Sequence, residues 1–116
     1  MIPLFIVTNT SRIRKGEAGK LADRFDKIGK VEFMPGFLGL EVWQSEKSAE
    51  HDLINVVTRW ERMEDFHAWT RSDAFRESHS GRQVPDYILD NTITQYEVKV
   101  VREPRSAAAE RDADSA

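Results

Sequence analysis

From Leu4 to Thr10 the side chains fall into two alternating sets, Leu4, Ile6 and Thr8 against Phe5, Val7 and Asn9. That is the period of a strand with two distinct faces. After Lys15-Gly16 the period lengthens. Ala18, Leu21, Ala22, Phe25 and Ile28 recur at three- and four-residue intervals, predicting an amphipathic helix from Glu17 to about Lys30 with Gly29 as its stop signal. Pro35-Gly36 marks a turn, and Phe37 to Gln44 reads as a second strand. The polar residues 45–52 form a loop before "LINVVTRW", residues 53–60, a third strand that completes an antiparallel hairpin. Helical spacing returns at Met63, with Phe66 and Trp69 three apart. Ser72 is placed to cap a second short helix, Asp73 to Ser80, with Asp73 adding favourable charge in its first turn and Gly81 offering a left-handed stop. Residues 82–91 read as loop, and "TITQYEVKVV", residues 92–101, as a fourth strand.

The element order is β-α-β-β-α-β, with the second α split in two. This predicts an α+β fold of ferredoxin-like type, one antiparallel sheet with helices on a single face. Apolar residues on both faces of the strands leave the bare side in need of a cover. A homodimer closing a dimeric α/β-barrel between two sheets supplies it. One ferredoxin-like domain is expected over residues 1–102. Beyond it "RSAAAERDADSA" has no large apolar residue, so 103–116 is expected to be a disordered tail.

Charge narrows the choice of partners. The net charge is −3; residues 103–116 contribute −2 through Glu103, Glu110, Asp112 and Asp114 against Arg105 and Arg111, which leaves the body at −1. A near-neutral body with interspersed signs offers no broad phosphate-binding face, so nucleic acid is not an expected partner. With no cysteine, disulfides, thiolate metal sites and cysteine nucleophiles are excluded. The short apolar run at the start has no preceding basic residue and no small-residue cleavage site, so it reads as a strand rather than a signal. The expectation is a cytoplasmic protein without a membrane partner.

Chemistry concentrates in "HAWTRSDAFRESHSG", residues 67–81, where Trp69 and His79 lie ten positions apart. His79 has a bland reading, a surface imidazole stabilising a helix C-terminus through the dipole. Its sharper reading is a ligand to a metal or heme iron. No second ligand lies nearby in sequence, so an iron porphyrin, which brings four nitrogens, is the economical choice. The dipole favours the protonated imidazole whereas a ligand must be neutral, so binding there has to outcompete a proton. Trp69 needs nothing beyond the core to explain it. In one unbroken helix, ten residues would leave the two side chains about 80° apart; a corner at Ser72 lets both point at one cavity. Asn9 falls on the face of Phe5 and Val7. There it is either a strand end satisfied by a turn or a hydrogen-bond donor aimed at a ligand. Phe25 reads as core, and Arg24 as solvated or as a rim cation able to pair with a propionate. His51 and His67 read as solvated. No Ser/His/Asp set, Gly-rich phosphate loop or clustered carboxylate pair is present.

Taken together, "VTNTSRIRKG", "ADRFDKIGKVEFMPGFLGLEV", "TRWERMEDFHAWTRSDAFRESH" and "PDYILDNTITQYEVKVVR" resemble the IsdG-type heme-degrading monooxygenases, especially the form found in bacilli. These belong to the antibiotic-biosynthesis-monooxygenase-like superfamily of dimeric ferredoxin-like proteins. The likeness spans about residues 4–102. Its specific part is an Asn late in the first strand, then the frame W-x-x-S-x-x-F-x-x-x-H; the "PGFLGLEV" turn and strand are common to the wider superfamily. The resemblance implies that His79 is the axial heme-iron ligand, that Asn9 hydrogen-bonds near the distal oxygen ligand, and that Trp69 presses the porphyrin out of plane. Arg24 and Phe25 match a similar "ERF" stretch and are implied as pocket residues. Heme would be both cofactor and substrate. With O2 as co-substrate and electrons from an external reductase or reductant, the macrocycle would open to a bilin-type product and release iron. Two alternatives stay open: a non-catalytic heme-binding or trafficking protein, and a cofactor-free monooxygenase of the same superfamily acting on a quinol or polyketide phenol.

Overall fold

In a computed structural model, residues 4–79 and 83–106 are described. The elements are β1 (Phe5–Arg14), α1 (Ala18–Ala22), β2 (Phe37–Ser45), β3 (His51–Trp60), α2 (Met63–Thr70), α3 (Asp73–His79) and β4 (Ile88–Glu97). The strands form one antiparallel sheet in the order β2-β3-β1-β4, so the expected ferredoxin-like α+β architecture is present.

β1 pairs with β3 on one side and β4 on the other, Phe5 opposite both Trp60 and Glu97. Alternation then sends its odd-numbered side chains to the helix-bearing face. Phe5 and Val7 join Val31, Trp60 and Trp69 in one core cluster, with Phe66 and Phe75 packed against it. Further along, Ile13 meets Ala18, Leu21 and Ile54 in a second cluster. Trp60 is fully buried and donates its indole N–H to Thr58 Oγ1 at 2.9 Å, so the largest core residue leaves no unpaired polar atom. The opposite face of the sheet carries Trp43 and Tyr96, 49% and 50% exposed.

Two elements depart from the sequence expectation. The helix anticipated over residues 17–30 is α1 followed by separate 3-10 turns at Asp23–Phe25 and Val31–Phe33. The stripe of Leu21, Phe25 and Ile28 is not one buried face: Leu21 is core, whereas Phe25 and Ile28 are exposed. Instead the chain turns so that Val31 enters the first core cluster, and the Gly29 N–H is taken up by the Glu32 carboxylate at 3.1 Å. Phe25, read as core from its spacing, is therefore a surface aromatic. The fourth strand starts at Ile88 rather than residue 92, and ends at Glu97. Its extent follows β1, which continues to Arg14 and needs a partner along its whole length. An irregularity where Arg12 pairs with Asp90 but Ile13 with Ile88 turns Ile88 inward to the second cluster. The proposed stop at Gly81 lies outside the described residues, as does most of the tail.

Gly36 in the Pro35-Gly36 turn has φ +80°, and a Cβ there would collide with the Asp65 carboxylate, so only glycine fits. A charged clamp fastens the other end of the sheet. Asp52, 1% exposed, receives the Gly16 N–H at 2.9 Å and Lys15 Nζ at 3.0 Å, while the same ammonium donates to the Glu46 and Ser48 carbonyls, each at 2.7 Å. Burial pushes the Asp52 carboxyl up, but the hydrogen bonds from Lys15 and Gly16 and the Lys15 charge outweigh it and hold it below its ordinary value of 3.8. A depressed carboxyl contributes stability that is present above its unfolded pKa and lost as pH falls through the folded value. Asp52→Asn is therefore expected to lower the urea midpoint at neutral pH and to flatten the loss of stability below pH 3.8. Parallel wild-type and variant curves through the acid range would show that the clamp carries no proton linkage.

Candidate active site at the helix corner

Ser72 joins two helices. Its hydroxyl donates to the Trp69 carbonyl at 2.7 Å and accepts the Phe75 N–H at 3.0 Å, so one oxygen closes α2 and caps α3. The expected N-cap is thus present, with an added bond backward across the corner. The corner brings three rings into sequence. Trp69 and Phe75 meet edge to face with centroids 5.4 Å apart, and Phe75 stacks on His79 at 4.0 Å. Trp69 is 8% exposed and packs with Phe5 and Val7, so its core role is real. His79, at the open end of the series, is exposed.

The imidazole is oriented as well as placed. His79 Nδ1 lies 2.8 Å from the Phe75 carbonyl oxygen, one turn back in α3. A carbonyl only accepts, so Nδ1 carries the proton, and in the neutral ring Nε2 holds a free lone pair. This tautomer suits a metal ligand whose other nitrogen is fixed by a backbone acceptor. Among the described residues, no group of three or more His, Asp or Glu side chains could hold a bare metal ion. A single imidazole fits a metal that arrives with most of its ligands.

Asn9 lies two residues beyond Val7 on the same face of β1, opposite Ile93 in β4. It stands mid-strand, so the reading of a strand end satisfied by a turn is corrected. The helices do not cover this part of the sheet: Ile93 is 58% exposed although it faces the helix side. Asn91 donates from its carboxamide to Asn9 Oδ1 and to Ser11 Oγ, the latter at 2.9 Å. The Asn9 amide nitrogen has no partner among the described residues.

Phe25 borders a shallow depression of about 350 Å³, shared with Ile28, Phe37 and Leu40. Phe37 and Leu40 pack in turn against the cluster containing Trp69. The segment carrying Phe25 is tied to α3 by the Lys30–Glu77 ion pair. Arg24 is exposed and pairs with no described residue. The structure thus links Trp69 and His79 through Phe75, sets Asn9 beside Trp69's partner Val7, places Phe25 on a neighbouring wall, and leaves Arg24 unanchored. Asn91 escaped the sequence reading because residues 82–91 read as loop, and the polar run Asp90-Asn91-Thr92 hid a strand that only its ladder with β1 reveals.

The family model for antibiotic biosynthesis monooxygenases matches residues 4–81. The chain belongs to that family. Within this family of monooxygenases, it is 59% identical over 105 residues to a heme-degrading monooxygenase of Halalkalibacterium halodurans, covering 90% of each chain. It is 54% identical over 106 residues to a heme-degrading monooxygenase of Bacillus thuringiensis, covering 90% of this chain and 99% of the relative. Among solved structures, an antibiotic biosynthesis monooxygenase from Bacillus cereus superposes with a TM-score of 0.79 at 26% identity, covering 87% of this chain and 98% of that one. The heme degrader MhuD of Mycobacterium tuberculosis, solved with two hemes in its active site, gives 0.68 at 28% identity over 85% and 99%.

The corner is testable without any ligand. Ser72→Ala removes both hydroxyl bonds and is expected to cost about 1 kcal/mol of stability, read from urea denaturation. An unchanged midpoint would show that water replaces the hydroxyl at no cost.

Proposed function

We propose that this protein is a heme-degrading monooxygenase, taking heme as both substrate and cofactor. The observation that carries the reading is the 59% identity to a heme-degrading monooxygenase across 90% of both chains. The site supports it with a single imidazole whose Nδ1 is held by the Phe75 carbonyl, an amide donor and a large indole, on elements that share one core.

Bound heme supplies the redox chemistry, with O2 as co-substrate and electrons from an external reductase or reductant. The chain supplies the rest. His79 would hold the iron through Nε2, with Nδ1–H donated to the Phe75 carbonyl so that the ring keeps its tautomer and orientation. Asn9 would direct its amide N–H at the other face, and Trp69, backed by Phe5 and Val7, would form a rigid wall against the porphyrin. A rigid wall would press on a bound group in a way that a mobile side chain cannot. Phe25 and Arg24 would line the rim, with Arg24 free to pair with a propionate. We further infer a homodimer joined through the sheet face carrying Trp43 and Tyr96, a cytoplasmic location, a bilin-type product with release of iron, and residues 1–102 as one functional domain. No described helix is long and apolar enough to cross a membrane.

Hemin titrated into the purified protein should give a shifted Soret band, and ascorbate under air with catalase should bleach it. Binding without bleaching would instead favour a heme carrier, and no Soret shift would favour a cofactor-free monooxygenase. His79→Ala is expected to abolish turnover and weaken hemin binding severely; unchanged activity would remove His79 from the site. Asn9→Ala is expected to keep most of the binding but lose roughly 100-fold in degradation rate, the scale of deleting one preorganised donor. Parallel losses of binding and rate would make Asn9 merely structural.

A further inference from the structure

A carboxamide has two ends of nearly equal shape, and only one donates. Nothing in Asn9 itself selects the end that faces a ligand. The surrounding strands do. Asn91 lies opposite Ser11 in the β1–β4 ladder and diagonal to Asn9, within side-chain reach of both. Its amide nitrogen has two hydrogens and meets two acceptors, Asn9 Oδ1 and Ser11 Oγ. Ser11 is 4% exposed, so one of the two acceptors is held in the sheet. With Oδ1 engaged by Asn91, the Asn9 nitrogen is the end left without a protein partner.

We propose that Asn91 is a positioning residue which, by donating to Asn9 Oδ1 and Ser11 Oγ, turns the Asn9 amide N–H toward the heme face opposite His79. The inference rests on the heme reading above and adds an element that acts through Asn9. If the Asn91 carboxamide were reversed, its oxygen would capture the Asn9 N–H and the Asn9 carbonyl would face the ligand. The site would then present an acceptor where a donor is needed. Asn91→Asp makes that reversal in a side chain of the same shape, because a carboxylate accepts and cannot donate.

The test reads the field at the ligand rather than turnover alone. In the ferrous carbonyl complex of the heme-loaded protein, a donor near the ligand lowers the C–O stretching frequency by strengthening back-donation from iron. Asn91→Asp is expected to raise that frequency at least as far as Asn9→Ala does. Asn91→Leu, which removes the contact without adding charge, should raise it in the same direction. Hemin affinity should not fall as it does in His79→Ala, while degradation should slow roughly tenfold or more. In an Asn9→Ala background, Asn91→Asp should move the frequency no further, because its effect runs through Asn9. A wild-type frequency in both Asn91 variants, or an equal Asn91→Asp shift with Asn9 absent, would overturn the proposal alone. Failure of the wild-type protein to bind hemin would overturn the heme reading and this inference together.

Discussion

The register of β1 between its two neighbours is the constraint on which the rest depends. Paired from Phe5 to Arg14 with β3 and from Phe5 to Ile13 with β4, the strand cannot slip by one residue without turning every side chain to the opposite face. In the observed register Phe5 and Val7 enter the core, and Asn9, half-buried, and Ser11, buried, follow on the same face. The same alternation thus builds hydrophobic support at one end of the strand and a polar network a few ångströms further along. The position of Asn9 is a consequence of where Phe5 and Val7 must go.

The corner at Ser72 does for the helices what β1 does for the sheet. A single continuous helix would carry Trp69 and His79 to different sides. With the break, Trp69 stays in the core, while Phe75 packs against its edge and passes the alignment on to His79 through a stacked contact. The Phe75 carbonyl then fixes the ring's proton. A residue whose side chain carries packing and whose backbone carries a tautomer couples the hydrophobic core directly to the electronic state of an exposed imidazole.

Much of this was legible in the chain, for identifiable reasons. The alternation in β1, the polar break between β2 and β3, and Ser72 ahead of an acidic first turn are local signals with local causes, and each marks what is found. The failures are non-local. Phe25 and Ile28 share the period of Leu21, but whether an apolar stripe is buried depends on what covers it, and here Val31 takes the place that a longer helix would have filled. The start of β4 is written in polar residues and becomes a strand because β1 needs a partner there. Asn91 follows from the same cause: no local pattern marks a side chain whose partners lie 80 and 82 residues away. The proposed pairing of Asn9 with Trp69 and His79 comes from family likeness rather than spacing, since nothing local relates the first strand to a helix sixty residues on.

Trp69 shows how tightly chemistry and stability are bound in so small a domain. An indole buried against Phe5 and Val7 resists displacement because moving it opens a cavity among close-packed neighbours, and that resistance would let it serve as the wall proposed for it. Asn9 and His79 obey a different rule. Both are partly or largely open to solvent, and each has one polar atom held by the protein while the other is left outward. Rigid apolar support and half-satisfied polar groups are complementary here. The core supplies the force that holds geometry, and the unspent hydrogen-bonding capacity, the Asn9 N–H and the His79 Nε2 lone pair, is what a ligand can complete. A substitution that satisfied those atoms internally would make a quieter surface and a poorer site.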